Sequence, residues 1–215
     1  MIKDNLVILF QGDSITDGNR DRGQDLNHIL GHGYVFSIAS QLGSQYAEQR
    51  PTFINRGISG NRLSDLYGRW NEDAFALQPN IISILIGIND AAAVIYKDDR
   101  GYVDRYARLY KQLLLETKDV LPHVKLVLCE PFLMKTKHNE VVFEQWDELV
   151  KQYKQEVKQL AQQHDAVFVP LQDMFEQAAK RTCTEDWLWD GIHPTVAGHY
   201  LLAQRWLDVV KPILS

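Results

Sequence analysis

The sequence predicts an α/β protein in which a five-stranded parallel sheet lies between two layers of helices. Three observations carry this. Five short β-rich apolar runs recur along the chain without an in/out alternation of polarity, the pattern of strands covered on both faces. Between them the apolar spacing changes to about 3.6, the period of a helix with one buried side. Runs and helical stretches alternate, the order that gives a parallel sheet with crossover helices.

The first run, LVILF (6–10), leads into GDSITDG (12–18), which puts Ser14 where the strand breaks into a turn. Taken alone, a serine after a strand and before a helix reads as a cap. TFINR (52–56) is the second strand, and GISGN (57–61) follows it. IISILIG (81–87) is the third, running into GIND (87–90). Val103, Tyr106, Ala107, Tyr110, Leu113 and Leu114 then line one side of a helix. KLVLCEP (125–131) is the fourth strand. A second helical face follows in Val142, Trp146, Leu149, Val150, Tyr153, Val157 and Leu160, and AVFVPL (166–171) is the fifth strand. The chain closes with WDGIHPT (189–195) and TVAGHYLLAQRWLDVV, where Pro194 suits the first turn of a last helix. Ligands of open parallel sheets bind beyond the carboxyl ends of the strands. GDS, GISGN and GIND therefore fall on one rim.

The 215 residues contain no repeat, low-complexity tract or linker, so one domain spanning 1–215 is expected. Hydrophobic residues at 45% and charged residues at 24% are ordinary for a globular protein. A net charge of -5 gives no broad basic surface, which speaks against nucleic acid and anionic membranes as partners and for a small molecule. Cys129 and Cys183 form no CxxC pair and no zinc cluster; both are expected as reduced thiols, buried or half-buried. The five apolar residues near the N-terminus are too few for a signal peptide, and no stretch reaches the ~18 apolar residues of a spanning helix. A cytoplasmic location is expected.

A serine hydroxyl becomes a useful nucleophile when a base within hydrogen-bond reach takes its proton and a carboxylate orients that base. Asp190 and His193, three apart, supply such a pair: Asp190 toward Nδ1, leaving Nε2 to face Ser14. Attack on an ester also needs donors aimed at the developing oxyanion. The amide of Ser14, the amide of Gly60 and the side-chain NH2 of Asn89 lie on the same rim. Singly these signals are weak, since Gly57 and Gly60 read as turn glycines and IND as an Asx turn. Together and in order, they point to nucleophilic catalysis. Ser59 is a rival nucleophile without a better-placed Asp–His pair. Position 16 is Thr, so the G-x-S-x-G elbow is absent.

Other residues have plainer readings. His28 and His32 have the spacing of a helical metal pair, but Gly31 and Gly33 argue for a loop, with no third ligand. His199 reads as a packing or surface residue and Asp17 as a holder of loops. Asp13, Asn61, Arg62 and Trp189 neighbour the proposed chemistry and are expected to contact substrate; Trp187 and Trp189 serve either a sugar ring or the packing of the triad turn.

GDSITDG, NRGISGN, GIND and DGIHP resemble the four sequence blocks of the GDSL esterases, or SGNH hydrolases, and span residues 12 to 194. Ile15 replaces the leucine of GDSL and Ile88 follows the glycine before Asn89, both apolar changes. The resemblance implies a flavodoxin-like three-layer α/β/α sandwich, with Ser14 as nucleophile, His193 as base, Asp190 as its orienter, and Ser14, Gly60 and Asn89 as the oxyanion hole. The segments HGYV, GISGNRLSDLYGRW, LLETK and HPTVAGHYLLA, with Trp189 before Asp190, are similar to bacterial intracellular acetylxylan esterases. That likeness implies hydrolysis of short acyl esters of carbohydrates such as acetylated xylo-oligosaccharides, no metal or organic cofactor, and a homo-oligomer. A lysophospholipase or thioesterase is the alternative within the family, and a non-catalytic carbohydrate-binding protein the alternative outside it.

Overall fold

The computed structural model describes residues 2–23, 25–97 and 103–214. Each apolar run is a strand: β1 (Val7–Gly12), β2 (Thr52–Asn55), β3 (Ile81–Leu85), β4 (Lys125–Cys129) and β5 (Val167–Val169). They pair in parallel in the order β2-β1-β3-β4-β5, the flavodoxin-type order of doubly wound sheets. The sequence sets the first strand two residues short. Gln11 and Gly12 continue β1 by pairing with Ile84 and Leu85. Gln11 is tolerated inside the sheet because its amide donates to Asp73 O at 2.7 Å and accepts from Arg69 at 3.1 Å.

The helices are α1 (Ser14–Asp17), α2 (Tyr34–Gln45), α3 (Leu63–Gly68), α4 (Trp70–Asp73), α5 (Ile88–Lys97), α6 (Val103–Val120), α7 (Phe143–Gln163), α8 (Gln172–Ala178) and α9 (Val196–Val210). Strand residues alternate between two cores. Ile8, Phe10, Val127 and Cys129 pack with α2, α8 and α9, while Leu9, Ile82, Ile84, Leu126 and Leu128 pack with α3 to α7. This double cover is why the runs show no polar alternation. Ser83, polar in the central strand, accepts from Trp206 Nε1 at 2.9 Å, which satisfies a buried hydroxyl that would otherwise destabilise the core.

The expected helical faces hold at their centres. Tyr106, Tyr110, Leu113 and Leu114 of α6 are buried, as are Trp146, Val150, Tyr153, Val157 and Leu160 of α7. Val103, Ala107, Val142 and Leu149 are half-buried at the margins. The last helix starts later than expected: Thr195 caps α9 by accepting from Gly198 N at 3.2 Å. Pro194 precedes that cap and bridges to Leu188. Cys183 is exposed, correcting the expectation of burial, whereas Cys129 is buried and both are free thiols. No described helix is long and apolar enough to cross a membrane.

Candidate active site

Where β1 leaves the sheet, Gly12 allows a turn that no side chain could enter; a Cβ there would stand 2.3 Å from Thr16 Oγ1 and 2.5 Å from Leu85 O. Asp13 caps α1, its Oδ1 accepting from Ile15 N at 3.1 Å. The cap is therefore Asp13, and Ser14 is the first residue of the helix. An amide at that position has no acceptor within its own helix, so the Ser14 N–H is free to face a ligand.

Ser14 Oγ lies 2.9 Å from His193 Nε2, and His193 Nδ1 lies 2.7 Å from Asp190 Oδ2. The other oxygen of Asp190 accepts from the amides of Ile192 at 2.9 Å and His193 at 2.7 Å. Gly191 makes this turn with φ +91, and a Cβ there would meet Met134 O at 2.2 Å. Met134 N in turn donates to Gly191 O at 2.9 Å. The segment after β4 thus backs the turn that carries Asp190 and His193.

The loop after β2 is tied to the first by Ile58 N donating to Gly12 O at 3.1 Å. Gly60 turns at φ +82, and nothing stands within 4 Å of where its Cβ would be. Asn89, near the start of α5, donates to Asn61 O at 3.1 Å. Its second amide hydrogen remains for another acceptor. The loops after β1, β2 and β3 stand side by side, with the three expected donors on them.

The electrostatics follow from burial and these bonds. The hydrogen bond to Asp190 holds the His193 pKa above its ordinary value, against the opposing effect of burial. Burial pushes Asp190 up, but the side-chain and backbone hydrogen bonds from His193, with that from Ile192, outweigh it and leave its pKa below the usual carboxylate range. Burial pushes Asp13 up to about 7, opposed by the Ile15 amide and by His193. Asp90 is likewise pushed up to about 7 by burial, although it accepts from Leu63 N.

The expected substrate contacts divide. Trp189 is half exposed and stacks on His193, and the His138 ring meets it edge-on. Asp13 is fully buried beneath α1, where a substrate has no access to its carboxylate. The Asn61 side chain accepts from Arg69 Nε at 3.0 Å and its carbonyl from Asn89, so Asn61 supports the loop. Arg62 caps α3 with its amide on Asp65 at 2.7 Å, and its side chain lines a small cavity with Asp90 and Arg105. Ser59 donates its amide to Asp17 at 2.9 Å, and no imidazole bonds its hydroxyl among the described residues. His28 and His32 sit in a loop with rings 5.5 Å apart.

One arrangement escapes sequence reasoning. His199 Nδ1 accepts from Tyr34 N at 3.1 Å, so a histidine of α9 caps α2, which has no side-chain cap of its own. Burial lowers its pKa to about 4, with a smaller push from His193, and it is a neutral acceptor. Asp17, expected as a holder of loops, gathers Ser59 N, Arg20 N and the Arg22 guanidinium. The His199 ring packs against Gly33.

Comparison with known proteins gives the family. Residues 10–201 match the model of the GDSL-like lipase/acylhydrolase family. The chain belongs to that family. It is a carboxylic ester hydrolase. This GDSL-family chain is 38% identical over 207 residues to the acetylxylan esterase of Geobacillus stearothermophilus, covering 93% of this chain and 91% of that protein. A crystal structure of that bacterium's acetylxylan esterase superposes with a TM-score of 0.83 at 35% identity, over 97% of this chain and 95% of that one. A Parabacteroides merdae protein described by its likeness to GDSL lipases superposes with a TM-score of 0.94 at 36% identity, over 100% and 99% of the two chains.

Proposed function

We propose that the chain is a serine esterase that removes acetyl groups from a carbohydrate such as an acetylated xylo-oligosaccharide. The observation that carries this reading is the unbroken line from Ser14 Oγ through the His193 ring to Asp190, with contacts of 2.9 and 2.7 Å. Ser14 Oγ attacks the ester carbonyl as His193 Nε2 takes its proton, and Asp190 steadies the imidazolium. The oxyanion accepts from the Ser14 and Gly60 amides and from the free N–H of Asn89. His193 returns the proton to the sugar oxygen as the acyl C–O bond breaks. Water, deprotonated by the same imidazole, then attacks the acyl-enzyme and releases acetate and Ser14.

The substrate class rests on the similarity to an acetylxylan esterase and on the half-exposed indole of Trp189 beside His193, an apolar face on which a sugar ring can lie. We further place this activity in one domain, 1–215, of a homo-oligomer in the cytoplasm; the two free thiols suit a reducing compartment. Light scattering of the purified protein tests the oligomer.

The function is tested by mass spectrometry of acetylated xylo-, gluco- and manno-oligosaccharides incubated with wild type and with Ser14→Ala. Loss of acetyl groups from the xylo-series by wild type, absent in the variant, is expected. Preference for octanoyl over acetyl p-nitrophenyl esters would instead favour a lysophospholipase or thioesterase.

A further inference from the structure

Beside the oxyanion loop, at the outer edge of β2, a cavity of about 300 Å3 is lined by Arg20, Arg22 and Arg56, with Asp21 at its rim and Leu30 and Phe53 among its apolar walls. The charges around it do not balance. Arg22 pairs with Asp17 at 2.6 Å. Arg56 and Arg69 share Asp73, at 3.2 and 2.6 Å. Three carboxylates, Asp17, Asp73 and Asp21, whose charge acts on Arg22, therefore face four guanidinium groups, Arg20 being the fourth. Its Nε donates to Gly57 O at 2.9 Å, but its terminal nitrogens, like those of Arg56, meet no acceptor among the described residues. Asp21 turns its carboxylate onto Gly23 N at 2.7 Å. Burial, with repulsion from Arg22 and Arg56, lowers the Arg20 pKa to about 10 against attraction from Asp17 and Asp73. Such a gathering of positive charge stands out in a chain of net charge -5.

Guanidinium groups with unoccupied N–H pairs take carboxylate and phosphate oxygens two at a time. We propose that this cavity binds a small organic anion, its carboxylate or phosphate group held by the terminal nitrogens of Arg20 and Arg56 with Arg22 at the rim. The apolar walls receive the body of the molecule. The anion reaches the protein either as an acidic branch on the substrate sugar or as a free ligand. Arg20 holds Gly57, and Asp17, partner of Arg22, holds Ser59, so both anchors lead into the loop that carries Gly60.

Calorimetric titration of the intact protein with inorganic phosphate, and separately with glucuronate, at fixed ionic strength is the test. Saturable binding at millimolar concentration or below is expected, weakened about tenfold in Arg56→Gln through loss of charge-assisted bonds. Turnover of p-nitrophenyl acetate checks that the variant is folded. Should it fail to fold, the Nε–H signals of Arg20 and Arg56 in wild type report binding by moving together along the titration. Acetylated xylo-oligosaccharides with and without a uronic acid branch separate the sources. A preference for the branched substrate that Arg56→Gln loses makes the anion part of the substrate; equal turnover with phosphate binding intact makes it a free ligand. No saturable binding of either anion by wild type, or movement of neither arginine signal, overturns the proposal. The titration stands apart from the ester chemistry, so its failure leaves the esterase reading untouched.

Discussion

The indole of Trp189 lies stacked on the imidazole of His193, with ring centroids 5.9 Å apart and planes 21° from parallel. The stack walls one side of the imidazole that joins Ser14 to Asp190. Aromatic pairs of this kind contribute about 0.5–1.5 kcal/mol. Trp189→Ala is expected to lower kcat on p-nitrophenyl acetate about threefold to tenfold through a looser imidazole, and to raise KM on acetylated oligosaccharides as well. Steady-state kinetics on both substrates read the two effects; a change in KM for the small ester alone would contradict the stacking role.

The pH profile follows from the state of His193, which accepts a proton only when neutral. Its hydrogen bond to Asp190 raises its pKa, so activity should fall as pH drops through a value above the ordinary ~6.5 of histidine. Asp13 adds to that rise while it is ionised, and since burial pushes its own pKa up to about 7, this contribution fades as pH falls through that value. Asp13→Asn keeps an acceptor for Ile15 N while removing the charge, and the acid limb of kcat/KM should move to lower pH. An unmoved limb in that variant would show that Asp13 exerts no field on the imidazole.

Asn89 is expected to matter only in the transition state. Removing one oxyanion donor typically lowers kcat by 100- to 1,000-fold, about 2.7–4 kcal/mol. Asn89→Ala should show that loss with little change in KM. Because its amide also braces Asn61 O, the thermal midpoint should be recorded alongside; a kcat within a few-fold of wild type would remove Asn89 from the hole.

His199 links acidity to stability. Its folded pKa of about 4 lies below that of an unfolded histidine near 6.5. Between these values the unfolded chain binds the extra proton, so the contribution is complete above pH 6.5 and is lost as pH falls toward 4. The expected loss is about 2–3 kcal/mol. Urea unfolding at a series of pH values should give a steeper decline for wild type than for His199→Gln.

Much of this was legible because the chemistry is local. Asp190 and His193 stand three apart, and one turn joins them; the five strands announced themselves because both faces of each are covered. What the pattern hid depends on partners far along the chain. Gln11 sits inside a strand because Asp73 and Arg69 satisfy it, which no local polarity rule reveals. His199 reads as an ordinary helix residue until α2 brings Tyr34 N against it. Asp13 and Asn61, close to Ser14 and Gly60 in sequence, are claimed by the cap of α1 and by the Arg69 side chain. Nearness along the chain located the loops but not the partners of their side chains.

The nucleophile is the claim on which the mechanism turns. Quenching the enzyme within the first turnovers on p-nitrophenyl acetate, followed by peptide mass spectrometry, tests it most directly. One acetyl group on the peptide containing Ser14, at the serine itself and absent from Ser14→Ala, is the predicted result. An acetyl group on Ser59 or elsewhere, or undiminished hydrolysis by Ser14→Ala, would contradict it.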